Sequence, residues 1–208
     1  MAIECEIKLA LPAAHVDAAT QWFTAHSASP GREFLLGNSY FDTPGLLLAR
    51  AKSALRLRQT PDGWLQTYKT LGVAQSGLHQ RHEWELPVAS RALELTSLLL
   101  ACDDIDAAAA LRQAQNELIE LFQTRFTRML WCIEHRGATV EAVIDQGEVS
   151  AEVDGETRCA PICEIELELK QGNAAALHQL ATKLTACLPG VAPDNISKAQ
   201  RGYQLRER

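Results

Sequence analysis

The chain is short of several things that would otherwise settle its class. No run of 18 apolar residues occurs in its 208 positions, so the sequence offers no membrane-spanning helix. The opening "MAIECEIK" has no basic stretch followed by an apolar one and so does not read as a secretory leader. Basic residues do not exceed acidic ones: 20 Lys and Arg stand against 26 Asp and Glu, a net charge of -6, which argues against a dedicated nucleic-acid binder. The six cysteines (5, 102, 132, 159, 163, 187) include no CxxC pair. That excludes a zinc ribbon and a disulfide framework and points to a reduced, cytoplasmic protein. There is no HExxH, no Ser-His-Asp or Cys-His pattern, and no aromatic platform on the strands for a nucleobase. His79 and His82 lie three apart, on opposite sides of a strand, and are expected in solvent or loop roles.

What the chain does have is alternation. In "IECEIKLAL" (3–11), Glu4, Glu6 and Lys8 alternate with Cys5, Ile7 and Leu9, a period of two that reads as a β-strand. The same pattern recurs in "LLGNSYFDTPG", in two runs flanking Pro61-Asp62-Gly63, and in "LHQRHEWELPV". It returns in "LFQTRFTRMLWCIEH", "ATVEAVID", "GEVSAEV" and "APICEIELELK", with turns at Arg136-Gly137 and Asp154-Gly155. Helices are expected after Pro12, in two Ala- and Leu-rich segments between 88 and 118, from an Asn173 N-cap through Cys187, and in part of the polar tail "NISKAQRGYQL". No repeat, low-complexity stretch or linker divides residues 1–208. The sum is one α+β domain of eight or nine strands in a largely antiparallel sheet.

On successive strands the charges share a parity: Glu4, Glu6, Lys8; Arg56, Arg58; Arg81, Glu83, Glu85; Glu141, Asp145; Glu164, Glu166, Glu168, Lys170; with Lys69 and Arg128 on two more. Alternation alone admits two arrangements: an open sheet with its charged face in water, or a closed sheet with that face inside. The repetition of like charges at i and i+2 favours the second. Such neighbours repel unless something of opposite sign lies between them. A polyanion would suit the Arg and Lys side chains. Hard divalent cations, Mg²⁺ or Mn²⁺, would suit carboxylates with no His or Cys among them.

These motifs resemble the CYTH, or triphosphate tunnel metalloenzyme, family. "ECEIK" (4–8) matches its N-terminal ExExK, and "YFDTP", "LRLR", "TYK", "RHEWE", "FTRML", "VID", "EIELE" and "SKAQRGY" follow in family order. The details are most similar to the bacterial inorganic triphosphatase branch. The resemblance implies an antiparallel eight-stranded barrel with the charged face inward, helices outside and a C-terminal helix capping one end. It implies hydrolysis of a triphosphate, inorganic tripolyphosphate first, with thiamine triphosphatase, a class IV adenylyl cyclase-like enzyme or a non-catalytic polyphosphate-binding module as alternatives.

By resemblance, Glu4, Glu6, Asp145, Glu164, Glu166 and Glu168 would hold two divalent ions. Lys8, Arg56, Arg58, Lys69, Arg81, Arg128, Lys198 and Arg201 would grip phosphate, and Glu83 and Glu85 would take part in catalysis with Glu4, Glu6, Lys8, Lys69 and Lys198. Phe126 stands where many members carry a basic residue, which thins the phosphate site unless Arg125 replaces it. Many bacterial relatives continue into a helical CHAD domain, and these 208 residues leave no room for one. Neither a nucleic acid nor a membrane is expected as a partner.

Overall fold

The computed structural model describes residues 2–70 and 72–207, with the side chains of residues 2 and 3 left aside. Ten strands form one antiparallel sheet in the order β10-β1-β9-β8-β7-β2-β3-β4-β6-β5, and a further pairing of β1 with β6 closes it. The ring therefore holds eight strands: β1 (Ala2–Ala10), β2 (Arg32–Asp42), β3 (Ser53–Thr60), β4 (Gly63–Thr70), β6 (Leu78–Val88), β7 (Ile119–His135), β8 (Ala138–Val153) and β9 (Glu156–Gln171). β5 (Val73–Gln75) and β10 (Ala192–Pro193) are short additions that the alternation does not reveal. Closure answers the question of faces, because a closed antiparallel barrel puts alternate residues in its lumen.

The chain chemistry explains the joints. Arg136-Gly137 and Asp154-Gly155 all have positive φ (50, 76, 53 and 81°), as a two-residue hairpin turn of the primed type demands. β8 is one strand where the sequence suggested two, and it runs straight through Gly147. A Cβ there would lie 2.1 Å from the Arg125 carbonyl oxygen, so only glycine lets β7 and β8 stay paired at Phe126 and Gly147.

The outer face of the barrel is apolar and is covered on two sides. α1 (Val16–His26) and α5 (Ala174–Cys187) pack on Ile7, Leu9, Ile165 and Leu167, with Phe23 stacked on Trp131 at 5.1 Å. The Asn173 side chain accepts from the Ala175 amide at 2.8 Å and caps α5 as expected. α3 (Leu95–Ala101) and α4 (Ile105–Ala114) cover Leu55, Tyr68 and Trp84 on the other side, joined by the short α2 (Leu47–Arg50).

A third cluster has lumen parity: Leu36, Tyr40, Phe122, Phe126, Val149 and Ile162, closed over by Leu205 of α6 (Lys198–Glu207). The polar tail thus docks partly through apolar contacts, which its sequence did not suggest. Gly202 makes this possible, since a Cβ there would lie 2.2 Å from the Phe122 ring. Gly202→Ala is expected to lower stability by about 1–3 kcal/mol through overpacking, although alanine ordinarily favours a helix by about 1 kcal/mol. A melting temperature equal to or above that of the wild type would show that α6 does not press on Phe122.

Candidate active site

Inside the barrel is a cavity of about 810 Å³. Among the described residues, its wall carries nine basic side chains and seven acidic ones, a surplus of two positive charges facing the lumen. Alternate residues of β1 supply Glu4, Glu6 and Lys8. β3 supplies Arg56 and Arg58, β4 supplies Lys69, β6 supplies Arg81, Glu83 and Glu85, β7 supplies Arg128, and β9 supplies Glu166 and Glu168. Lys198 enters from the first turn of α6. Glu141, Lys52 and Lys170 also reach the cavity, and the site set expected from the sequence omits all three.

Most of these charges are spent on one another. Arg81 donates to Glu4 at 2.6 Å and to Glu6 at 2.5 Å, and Lys69 sits 3.1 Å from Glu4 and 2.8 Å from Glu83. Arg56 reaches Glu85 at 3.4 Å and Glu83 at 3.8 Å, and Thr67 donates to Glu85 at 2.8 Å. Burial alone would raise the Glu4 carboxyl, but Lys69 and Arg81 outweigh it and hold that group well below the usual carboxylate range. Burial raises Glu83, and the nearby Glu4 charge adds to this, against Lys69 and Arg56. The two neighbouring carboxyls are thereby pushed apart in acidity.

Asp145 and Glu164 have no accessible surface and no face on the cavity. With Glu166 they form a carboxylate cluster whose oxygens lie within 4.8 Å of one another. The Lys198 ammonium occupies its centre, 2.6 Å from Asp145, 2.5 Å from Glu164 and 2.9 Å from Glu166. Lys8 contacts Glu166 and lies 2.8 Å from Glu164. Arg128 grips Asp145 with two parallel hydrogen bonds of 2.8 and 2.7 Å and reaches Glu166 at 2.8 Å. Burial disfavours the charge on Lys8, yet Glu164, Glu166 and Glu6 outweigh it and raise its pKa.

Arg201 does not line the cavity. Its guanidinium lies behind Glu164, 2.9 Å from Oε2 and 2.5 Å from Asp194, and donates to the Pro161 carbonyl. Arg125 has the opposite parity to Arg128 and is exposed, so it does not replace the cation missing at Phe126. Phe126 instead sits under two cations, 4.9 Å from the Lys198 nitrogen and 5.7 Å from the Arg128 guanidinium carbon. His79 is buried rather than solvated, with Nε2 3.1 Å from the Asp194 carbonyl oxygen, while His82 stacks on Trp84. Tyr40 stacks on Phe122, and Tyr203 donates to the buried Asp42 at 3.1 Å.

The donor set suits a hard cation. Glu6, Glu168 and Glu141 stand directly opposite one another on adjacent strands, three like charges in a row with only Lys170 close to the last two. Burial raises the Glu168 carboxyl, and Glu4 and Glu141 add to this, against Lys170. Glu164 Oε2 is buried without receiving a hydrogen bond of good geometry. The cavity lining contains neither His nor Cys. Oxygen-only, acid-rich walls of this kind fit Mg²⁺ or Mn²⁺ better than zinc.

A closed eight-stranded barrel with acids and bases interleaved around its lumen defines a tunnel-type anion site. The chain belongs to the CYTH domain family, whose model matches residues 2–203. It is 32% identical over 202 residues to an inorganic triphosphatase from Haemophilus influenzae, covering 97% of this chain and 54% of that protein. The chain thus spans about half the length of the curated relative. Among solved structures it is similar to a Hippeastrum protein put forward as an adenylyl cyclase and found to have a dominant triphosphatase activity. That match has a TM-score of 0.66 and 18% identity over 98% of this chain and 96% of the other. The PH1819 protein of Pyrococcus horikoshii matches with a TM-score of 0.62 and 18% identity over 98% and 99% of the two chains. Among the described residues, no helix is long and apolar enough to cross a membrane.

Proposed function

We propose that this chain is a divalent-metal-dependent triphosphatase that cleaves inorganic tripolyphosphate to pyrophosphate and phosphate. The observation that carries the reading is the lumen itself: a cavity of about 810 Å³ walled, among the described residues, by nine cations and, in the same ring, by carboxylates without a His or Cys donor. Anion binding alone has no use for so many acids, which favours a catalyst over a passive polyphosphate-binding module.

Arg56, Arg58, Lys69, Arg81, Lys8, Arg128 and Lys198 hold the phosphate oxygens, with the arginines giving forked contacts. Glu4, Glu6, Glu166 and Glu168 present carboxylates to the cavity and would hold the metal. Asp145 and Glu164 could join them only if the Lys198 ammonium left their cluster. Otherwise they act from behind, fixing Lys8, Lys198 and Arg128 in place. Bound divalent ions would neutralise phosphate charge and polarise water for in-line attack. Glu83, with its raised carboxyl, and Glu85, hydrogen-bonded to Thr67, stand where they can orient Lys69 and Arg56 as charge builds on the leaving pyrophosphate. Arg201 acts through Glu164 and Asp194 rather than on substrate. The six free cysteines suit a reducing compartment, the cytoplasm.

Phosphate release from tripolyphosphate, ATP and thiamine triphosphate, each with Mg²⁺, Mn²⁺ or EDTA, tests this directly. Turnover of tripolyphosphate that vanishes in EDTA and exceeds that of ATP is expected. Comparable rates on ATP would favour the cyclase-like alternative, and tight binding without turnover would favour the binding module.

A further inference from the structure

Resting on the triphosphatase reading, we propose that Lys52 is a distal phosphate contact that sets how the tunnel treats chains longer than three phosphates. Among the described residues, seven of the nine basic side chains on the cavity wall have a carboxylate within 4.0 Å. The exceptions are Arg58 and Lys52. Among the described residues, the Arg58 side chain donates only to Asn38, at 2.8 Å. Burial, Arg56 and Arg128 push its pKa down to about 10, outweighing the pull of Glu85 and Tyr40. Lys52 is exposed at the cavity rim, with no side-chain partner among the described residues. These two are the cations left over for an anion from outside.

Their spacing separates their tasks. Five extended steps of β3 separate Arg58 from Ser53, about 17 Å of backbone, and Lys52 lies one residue further in the turn, so a short phosphate chain held at Arg58 ends before Lys52, and a longer one reaches it. The backbone that carries Lys52 is fixed. It is left-handed at φ 56°, unusual for a residue with a side chain, and the Lys52 amide donates to Ala49 at 2.9 Å. The turn before it is fixed by the buried Asp42 carboxylate, which accepts from the amides of Thr43 (2.7 Å), Leu48 (2.8 Å) and Ala49 (2.9 Å).

The test compares Lys52→Gly, Lys52→Arg and Lys183→Ala, the last on outer helix α5. Glycine suits the left-handed backbone, so the fold survives the change. KM and kcat are measured for tripolyphosphate and for a longer linear polyphosphate, with calorimetric binding of both. In Lys52→Gly the ratio of long-chain to tripolyphosphate KM should rise about fivefold, falling on KM rather than kcat, as expected for a partly solvated charged contact. Lys52→Arg should restore the ratio, and Lys183→Ala should leave it alone. A ratio in Lys52→Gly that stays within about twofold of the wild type, while the wild type binds and cleaves both substrates, overturns this inference alone. A wild type that binds neither phosphate overturns both readings.

Discussion

Replacing Lys198 by methionine is expected to cost about 3–5 kcal/mol at neutral pH, because it leaves buried carboxylates without the cation that compensates them. Among the described residues, Lys198 is the one group that touches all three of Asp145, Glu164 and Glu166. Burial alone would raise the Asp145 carboxyl, but Lys198 and Arg128 outweigh it and lower it. Glu166 is lowered by Lys198, Lys8 and Arg128 against the same burial. A carboxylate whose folded pKa is depressed adds stability above its unfolded value of about 4, and that stability is lost as pH falls through the folded value. In Lys198→Met the depression is smaller, so the gap to wild type should be full at pH 7 and should narrow at about pH 3, below the unfolded value, as pH falls toward the depressed folded values. Urea denaturation at the two pH values measures it. A variant as stable as wild type, or a gap that widens in acid, would mean that the ammonium does not serve this cluster.

Glu4→Gln with Glu6→Gln should remove nearly all turnover. If these two carboxylates hold the metal, the lost contribution is several kcal/mol of transition-state stabilisation, about a thousandfold in rate at ~1.36 kcal/mol per decade. The effect on stability has a definite sign. From the sequence, two acids at i and i+2 repel, and neutralising them would be expected to raise the melting temperature. In the barrel, Glu4 and Glu6 face Arg81, and Glu4 also faces Lys69. The double variant strands these cations, so it should melt lower. Steady-state phosphate release and a thermal melt of the same preparation separate the two effects. Wild-type turnover would place the metal elsewhere, and a higher melting temperature would mean that the cations were better off without their partners.

The barrel was legible because its evidence is local. Period-two alternation and the shared parity of charges need only neighbours in sequence, and closure then decides that Glu4, Arg56, Arg81 and Glu166 meet in one lumen. What escaped depends on distant partners or on single backbone positions. Nothing near residue 198 says that its ammonium will sit between strands β8 and β9, or that Arg201, three residues on, will turn away to Asp194. Gly147 reads as a strand break until β7 is beside it. Lys52 carries no signal of its own in the sequence, and only the turn held by the Asp42 amide contacts brings it to the cavity. Phe126 reads as a missing phosphate contact, yet it joins an apolar plug that α6 completes.

The closing pair of the ring, β1 with β6 and β9, has a consequence for how the chain is made. β1 precedes both of its ring neighbours in the chain: it gains the first only when β6 has been made as far as Glu83, and the second when β9 reaches Glu164 to Glu168. At ~5–20 residues per second, roughly 8–30 s pass between its emergence and the arrival of that second ring neighbour. For that interval the nascent chain carries an unclosed sheet with Glu6 and Lys8 at its rim. Charges on an open strand edge discourage pairing with other chains. The residues proposed to handle phosphate in the finished molecule would therefore also guard the unfinished one during synthesis.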